Sequence, residues 1–276
     1  MRGQFLKAFL VTGAILGAAL SAHAQQPVVA AGGVLNAASN AKGVSVAAGS
    51  LVSIYGTALA SSLASAGTIP LSTQLGNVGV TFNNVPAPLL YVSNAPQQIN
   101  AQVPWELQGS NSAQIVVTNG GTASAPLTVP LTAAAPGIFS IGSGVGQAIA
   151  YGNNDGQLAA PVGIYTSAGL VTHPAKIGDP ATLAILATGL GAVNPPVQTG
   201  NDVTDGKTHF CVTMPTVTVG GVPAQVVFAG MTPQFVGVYQ VNIVIQPGTP
   251  TGDAIPLQMQ MNGITTSNQI TIAVSN

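Results

Sequence analysis

Two stretches of this chain, VTFNNVPA at residues 80–87 and VTVGGVPA at residues 217–224, match closely although they lie far apart. Three further pairs of segments match in the same order along the chain: residues 49–54 with 178–185, 98–100 with 240–242, and 119–129 with 262–272. The offsets within the four pairs are 129, 137, 142 and 143. They change only across segments with the composition of loops, as expected of duplicated domains with variable connections. Since chance matches would not keep this order, the sequence predicts a tandem duplication.

The repeated segments have the length and composition of β-strands. Runs of about five residues rich in Val, Ile and Thr, such as 114–118 and 270–274, alternate with turn residues. Asn119-Gly120 and Asn262-Gly263 lie between such runs and predict hairpin turns. No capped helical stripe follows the first 24 residues, and the 34 Gly and 20 Pro suit many short strands joined by tight turns. The predicted fold class is all-β.

The N-terminus has the three parts of a secretory signal peptide. Arg2 and Lys7 precede an uncharged apolar run and the small-x-small site Ala22-His23-Ala24, which predicts an exported protein cleaved before Gln25. The apolar run is too short to span a bilayer, which needs about 20 apolar residues. We divide the chain into a signal peptide at residues 1–24, a first unit at 25–139, a connector at 140–175 and a second unit at 176–276.

The connector has its own strand signal. Its residues 146–151 and 157–159 flank the turn-rich segment 152–156, which predicts a hairpin rather than a floppy linker. We expect this hairpin to pack on one or both units and to restrict their relative motion.

Charge is scarce in the exported portion. It holds three lysines, no arginine and six acidic residues, a net charge of −3. Nucleic-acid binding needs clustered Lys and Arg to displace counterions from phosphates, so nucleic acid is excluded as a partner, and anionic membrane surfaces are excluded for the same reason. Cys211 is the only cysteine, so the fold must be held by apolar burial and backbone hydrogen bonds without a disulfide.

Six motifs together resemble a known family, the Solibacter-type C-terminal domain family of secreted acidobacterial proteins. The motifs are GSLVSIYG at 49–56, VPAPLLYV at 85–92, QINAQVP at 98–104, APGIF at 135–139, ATGLG at 187–191 and YQVN at 239–242. That family is similar to tandem IPT/TIG domains. The resemblance covers nearly the whole exported portion and implies two tandem immunoglobulin-like β-sandwiches, here joined by the hairpin-containing connector. It implies no catalytic or binding residues.

Enzyme chemistry finds little support in the sequence. The exported portion has two histidines, no G-x-S-x-G motif and a single glutamate, Glu106, so neither a Ser-His-Asp site nor a glycosidase carboxylate pair is indicated. The segment GSGVGQ at 142–147 approaches a dinucleotide-binding fingerprint but has Gln147 where the last Gly belongs. We expect no catalytic residues and no cofactor.

The sequence offers only weak metal candidates. His173, His209, Cys211 and Met214 make up the residue types of a blue-copper site, but both histidines precede the cysteine, contrary to the usual order. Asp202 and Asp205, with Asn201, could coordinate calcium in the longest loop of the second unit. The expectation for both sets is no metal, with solvated turns and a loop or buried cysteine instead.

Three aromatic residues are the candidate binding residues, because flat rings bury area at little entropic cost. Trp105 follows a predicted strand, and Phe235 and Tyr239 lie at a predicted loop tip where the second unit has about five extra residues. The competing interpretation of these aromatics is packing between the domains or in a core. The first functional hypothesis is a secreted non-enzymatic interaction module that binds a glycan or a protein partner. The alternative is a structural subunit of an extracellular or surface layer that associates with itself, since few charges block pairing between strand edges.

Overall fold

The computed structural model describes residues 25–142, 144–266 and 269–276. Within these ranges the chain forms 27 β-strands, two 3-10 turns at Trp105–Leu107 and Thr166–Ala168, and no α-helix. The predicted all-β fold class is therefore confirmed. No helix in the described ranges is long and apolar enough to cross a membrane. The predicted signal peptide, residues 1–24, lies outside the described residues.

The strands of the first unit form two sheets. They are β1 (Val28–Asn36), β2 (Val46–Ala47), β3 (Leu51–Thr57), β4 (Ala64–Ser65), β5 (Gln74–Leu75), β6 (Val78–Phe82), β7 (Val85–Pro86), β8 (Leu89–Asn94), β9 (Gln97–Gln102), β10 (Ser112–Asn119), β11 (Thr122–Ala123), β12 (Leu127–Thr132) and β13 (Gly137–Ile138). Twelve of these strands make up the two sheets. One has the order β1-β3-β9-β8-β4 and the other β2-β12-β10-β6-β5, with β7 and β11 paired at its side, while β13 pairs with a strand of the second unit. Burial alternates along β6, as expected of a strand with one face on a core.

The second unit continues the same architecture. Its sheet also includes the short strands of the connector, and the whole set is β14 (Gly146–Gln147), β15 (Ala150–Gly152), β16 (Leu158–Ala159), β17 (Thr172–His173), β18 (Ala175–Lys176), β19 (Leu183–Thr188), β20 (Val193–Asn194), β21 (Phe210–Cys211), β22 (Thr216–Val219), β23 (Val222–Met231), β24 (Tyr239–Val244), β25 (Gly252–Met261), β26 (Ile264–Thr265) and β27 (Ile270–Ser275). The long strand β23 pairs with β22 through its first half and with β24 through its second, so it joins the two layers of this sandwich at a bulge.

Each unit has its own hydrophobic core. The first core is built around Phe82, Ile54 and Ile99, and the second around Tyr239, Ile185 and Leu257, all of them almost fully buried. Burying a side chain of this size contributes roughly 1.5–3 kcal/mol, so each sandwich has an apolar driving force that needs no disulfide. Trp105 packs against both cores.

Two-residue hairpins at matching places agree with the predicted duplication. Asn83-Asn84 and Gly220-Gly221 occupy equivalent turns, and all four residues have positive φ, as a tight type I′ turn requires. The predicted turn at Asn262-Gly263 is confirmed, whereas the predicted turn at Asn119-Gly120 is wrong by one residue. Asn119 still pairs with Thr122 in β10 and β11, and the turn is Gly120-Gly121.

The connector forms the predicted hairpin. Tyr151 in β15 pairs with Leu158 in β16, and β15 adds to the second sandwich alongside β19. The connector strands β14 and β18 also pair with β27. The connector is therefore part of the sheet of the second sandwich, while the residue boundaries assigned to the units stay a prediction.

Candidate functional site

The two units meet through a buried glutamine. Gln102 ends β9, and its neighbours Gln98 and Asn100 alternate with core residues, so all three would face water in an isolated sandwich. Yet the Gln102 side chain has no exposed surface. Its Oε1 accepts a hydrogen bond from the Gly200 N–H at 2.8 Å, and its Nε2 donates to the Gly49 carbonyl at 3.3 Å. Gln102 thus links the first unit to a loop of the second.

Thr188 makes another buried link between the units. Its Oγ1 accepts from the Leu51 N–H of the first unit at 3.0 Å and donates to the Gly237 carbonyl of its own unit at 2.7 Å. The Asn36 Nδ2 donates to the Ala135 carbonyl within the first unit at 2.8 Å, and the Ala135 N–H donates to the Gly189 carbonyl of the second unit at 2.8 Å. Buried polar groups are costly unless they are paired, and each of these side chains has its partners. They specify one arrangement of the two sandwiches.

A loop of the second unit reaches over to the first. We call residues 195–209 the strap; it runs between β20 and β21, whose pairing closes its base. At its tip the Gly200 carbonyl accepts from the Leu71 N–H at 2.9 Å. The neighbouring Thr199 Oγ1 accepts from the Trp105 N–H at 2.9 Å and donates to the Glu106 carboxylate at 2.6 Å.

His209 connects two parts of the strap through hydrogen bonds of its ring. The ring is buried, with Nδ1 2.7 Å from the Pro195 carbonyl and Nε2 3.1 Å from the Asp205 carboxylate. Its hydrogen bond to Asp205 lowers the pKa of that exposed carboxyl. Both ring nitrogens face acceptors, so His209 ties two points of the strap together.

Trp105 lies inside this junction and not on an open surface. Its ring lies against Gly49, where even a Cβ atom would overlap the indole, and it is half-buried between the two cores. The indole Nε1 is buried and finds no acceptor among the described residues. Trp105 thus packs between the two units, as one of its two interpretations expected, and its role as a binding residue stays a prediction.

An apolar groove opens where the two units meet. It has a volume of about 530 Å³, and its walls include Leu51, Ile69, Leu71 and Leu90 from the first unit and Phe235 and Val238 from the second. None of the described residues that line it is charged. Phe235 is 55 % exposed and Ile69 is 43 % exposed, so two large apolar side chains stand open to solvent at its rim. Apolar concavities between domains are frequent binding sites.

Only one of the three predicted binding aromatics is open. Phe235 lies at an exposed turn, as predicted, and its role stays a prediction. Tyr239 is not at the loop tip: it begins β24, is fully buried, and its hydroxyl donates to the Gly191 carbonyl. Its position in the loop was wrongly predicted because the strand starts earlier than expected. The sequence prediction missed Ile69 and Leu71, although an apolar pair around Pro70 was a signal that could have found them.

The four copper candidates do not converge. Cys211 is buried in the second core and Met214 is exposed, while His209 is occupied within the strap. His173 lies in the connector, with Nδ1 2.7 Å from the Pro174 carbonyl and Nε2 2.6 Å from Asp155. Among the described residues no three His, Cys, Asp or Glu side chains cluster as metal ligands.

Ionisable groups of the connector and the second unit are held by structural partners. The Pro174 carbonyl, and then Asp155, raise the pKa of His173, and the Gln157 N–H, and then His173, lower the pKa of Asp155. Burial raises the pKa of the Cys211 thiol to about 12. A thiol with so high a pKa is a poor nucleophile. Each of the two histidine rings faces a carboxylate with one nitrogen and a backbone carbonyl with the other.

Comparison with known proteins gives a limited result. No protein-family model matches the chain, and no curated protein matches it either. Among solved structures, tandem Ig repeats of Dlar are 13 % identical over 90 % of this chain and 97 % of that one, with a TM-score of 0.23. Domains 5-6 of the S-layer protein SbsC are 14 % identical over 91 % and 99 %, with a TM-score of 0.22. The titin I9-I11 tandem is 11 % identical over 84 % and 62 %, with a TM-score of 0.20. Likenesses at this level carry no inference about function.

Proposed function

We propose that this chain is an exported, non-enzymatic interaction protein that binds an extended apolar segment of a protein partner in the groove between its two units. The observation that carries the proposal is the groove itself, an uncharged concavity with Phe235 and Ile69 exposed at its rim. Aromatic and aliphatic anchors at the centre of an interface supply most of its binding energy.

The surroundings of the groove support a preformed site. Thr188 and Gly237 are hydrogen bonded beside it, and the strap is bonded to Leu71 in its wall. A site held in its binding shape loses less conformational entropy when a partner arrives, which favours affinity. Binding in a preformed groove therefore requires little rearrangement of this protein.

A protein segment fits the groove better than a glycan does. Sugars are usually held by an exposed aromatic ring together with polar or charged side chains. The single tryptophan is partly covered by the second unit, and the described lining of the groove contains no charge. The export of the chain and its resemblance to the Solibacter-type family are part of this proposal and agree with a partner met outside the cytoplasm.

Selection from a random peptide library displayed on phage, with the purified protein immobilised, tests the proposal. We expect recovered peptides to be rich in apolar residues and to bind Phe235→Ser at least about tenfold more weakly than the unmodified protein, as the loss of an anchor predicts. Val162→Ser is the matched control, because Val162 is 76 % exposed and lies in the connector, away from the groove lining.

Two results would overturn the proposal. One is a set of peptides that bind Phe235→Ser as tightly as the unmodified protein, because the groove would then not be the site. The other is a glycan array that gives strong binding while the peptide library gives none. In that case the partner would be a sugar and the apolar groove would be incidental.

A further inference from the structure

The second unit exposes an apolar ridge on β21 and the residues that follow it. We define the ridge as Phe210, Val212 and Met214, which are 51 %, 66 % and 47 % exposed. Phe228 supports it from β23, with the two phenyl rings 5.6 Å apart in an edge-to-face arrangement. Single exposed apolar residues are ordinary, but a row of three beside a further phenylalanine is typical of an interaction surface.

A single copy cannot place this ridge in its own groove. Burial alternates along residues 209–212, so Phe210 and Val212 point away from the side on which His209 and Cys211 are buried. His209 faces a polar pocket that it shares with Ile69, and Ile69 also lines the groove. The groove thus lies on the His209 side of β21 and the ridge on the other.

Charge does not oppose contact between copies. The chain carries only five Lys and Arg and six Asp and Glu in 276 residues, and the groove and the ridge contain none of them. Self-repulsion between copies is therefore weak, and both surfaces can be desolvated without burying an ion. A charged partner segment would pay a desolvation penalty in this groove, whereas the uncharged ridge would not.

From these placements we infer that the ridge of one copy occupies the groove of the next, so that the protein associates with itself head to tail. This inference rests on the proposed function of the groove and names its partner as a second copy. Because the two surfaces differ and lie on different sides, the contact is heterologous and leaves a free ridge and a free groove at the ends. Such a contact builds open chains unless the rotation between copies closes a ring.

Sedimentation velocity of the purified protein over a concentration series tests the inference. We expect assemblies that grow with concentration in the unmodified protein and in the control Val162→Ser. Phe210→Ser combined with Val212→Ser, and separately Phe235→Ser, should each raise the concentration for half-assembly at least about tenfold. All of these side chains are at least half exposed, and unchanged circular dichroism and urea midpoints would establish that each variant folds.

Mixing the two defective proteins is the sharper measurement. The ridge variant keeps a groove and the groove variant keeps a ridge, so the mixture should form dimers that cannot extend. A mixture that stays monomeric, or single variants that assemble like the unmodified protein, would overturn the inference. If the unmodified protein stays monomeric while phage-selected peptides still need Phe235, the head-to-tail inference fails and the proposed function stands.

Discussion

Replacement of Gln102 by alanine tests whether the buried links hold the two units together. The substitution removes both hydrogen bonds of the side chain and leaves the Gly200 N–H and the Gly49 carbonyl without it. A buried polar group left unpaired costs about 1–3 kcal/mol, and a cavity adds to the loss. We therefore expect the free energy of unfolding to fall by about 3 kcal/mol, a large part of the 5–15 kcal/mol that proteins ordinarily have.

Urea unfolding followed by tryptophan fluorescence measures this loss of stability at the junction itself. Trp105 is the only tryptophan, and it contacts both cores beside Gln102. With a urea dependence of about 3 kcal/mol per molar, the midpoint should drop by about 1 M. The looser junction should also let the two units unfold in separate steps, seen as a fluorescence change that precedes the loss of far-ultraviolet circular dichroism.

Gln98→Ala is the matched control. Gln98 lies in the same strand and donates a hydrogen bond at 2.7 Å to Asn100, within the first unit. Its removal should cost less than about 1 kcal/mol, because the half-buried partner can bond to water instead. Equal losses for the two variants, or a loss below about 0.5 kcal/mol for Gln102→Ala, would refute the view that this side chain fastens the junction.

Three further predictions concern other described side chains. Thr188→Val keeps the shape but removes both hydrogen bonds of the hydroxyl, one of them to Leu51 of the first unit, so it should lower the unfolding free energy by about 2 kcal/mol in urea, while Thr128→Val on an exposed strand face should change little. The raised pKa of His173 beside Asp155 means that its contribution is complete below about pH 6.5 and is lost as the pH rises through the folded-state pKa. The stability difference between the unmodified protein and His173→Gln should therefore shrink from pH 6.5 upward, and a constant difference would contradict the pairing. Cys211, buried and with a pKa of about 12, should not react with a thiol reagent near pH 8 until urea unfolds the protein, so rapid labelling of the folded chain would contradict its burial.

Most of the fold could be predicted from the sequence because its signals are local. Alternation of β-branched residues and paired Asn or Gly turn residues act within a few positions, and they recur in both units. The error at Asn119-Gly120 has a physical cause. Asn119, Gly120 and Gly121 can all adopt positive φ angles, and because Asn119 pairs with Thr122 the turn falls on Gly120-Gly121. The strand register also changes the first offset. Ser53 pairs with Asn100 and Ala184 pairs with Asn242, so the counterpart of Ser53 is Ala184 and not the residue 129 positions further on.

The junction could not be predicted in the same way. Gln102 belongs to a strand whose alternating polar residues predict a solvent-exposed face. That position is buried only because the other unit packs on it. For Trp105 the sequence left two interpretations open, because nothing near it in the chain indicates the strap that bonds to its N–H. Contacts between residues about 100 positions apart leave no periodic trace, whereas Phe235 could be found because an inserted turn with an aromatic tip is a local feature.

The strap and the inserted turn make much of the junction. The strap bonds to Leu71, Gln102 and Trp105. In the inserted turn, a Cβ atom built on Gly237 would lie 2.8 Å from the Leu51 Cδ2, so a larger residue there would displace the Leu51 side chain. That turn also carries Phe235, and the strap leads directly into the ridge. Without these insertions the two sandwiches would carry more similar loops and surfaces. The strap contacts the first unit through the uncharged residues Thr199 and Gly200, and the inserted turn forms one wall of the groove. The segments in which the two units differ, more than the sandwich fold itself, therefore form the groove for which we propose a partner.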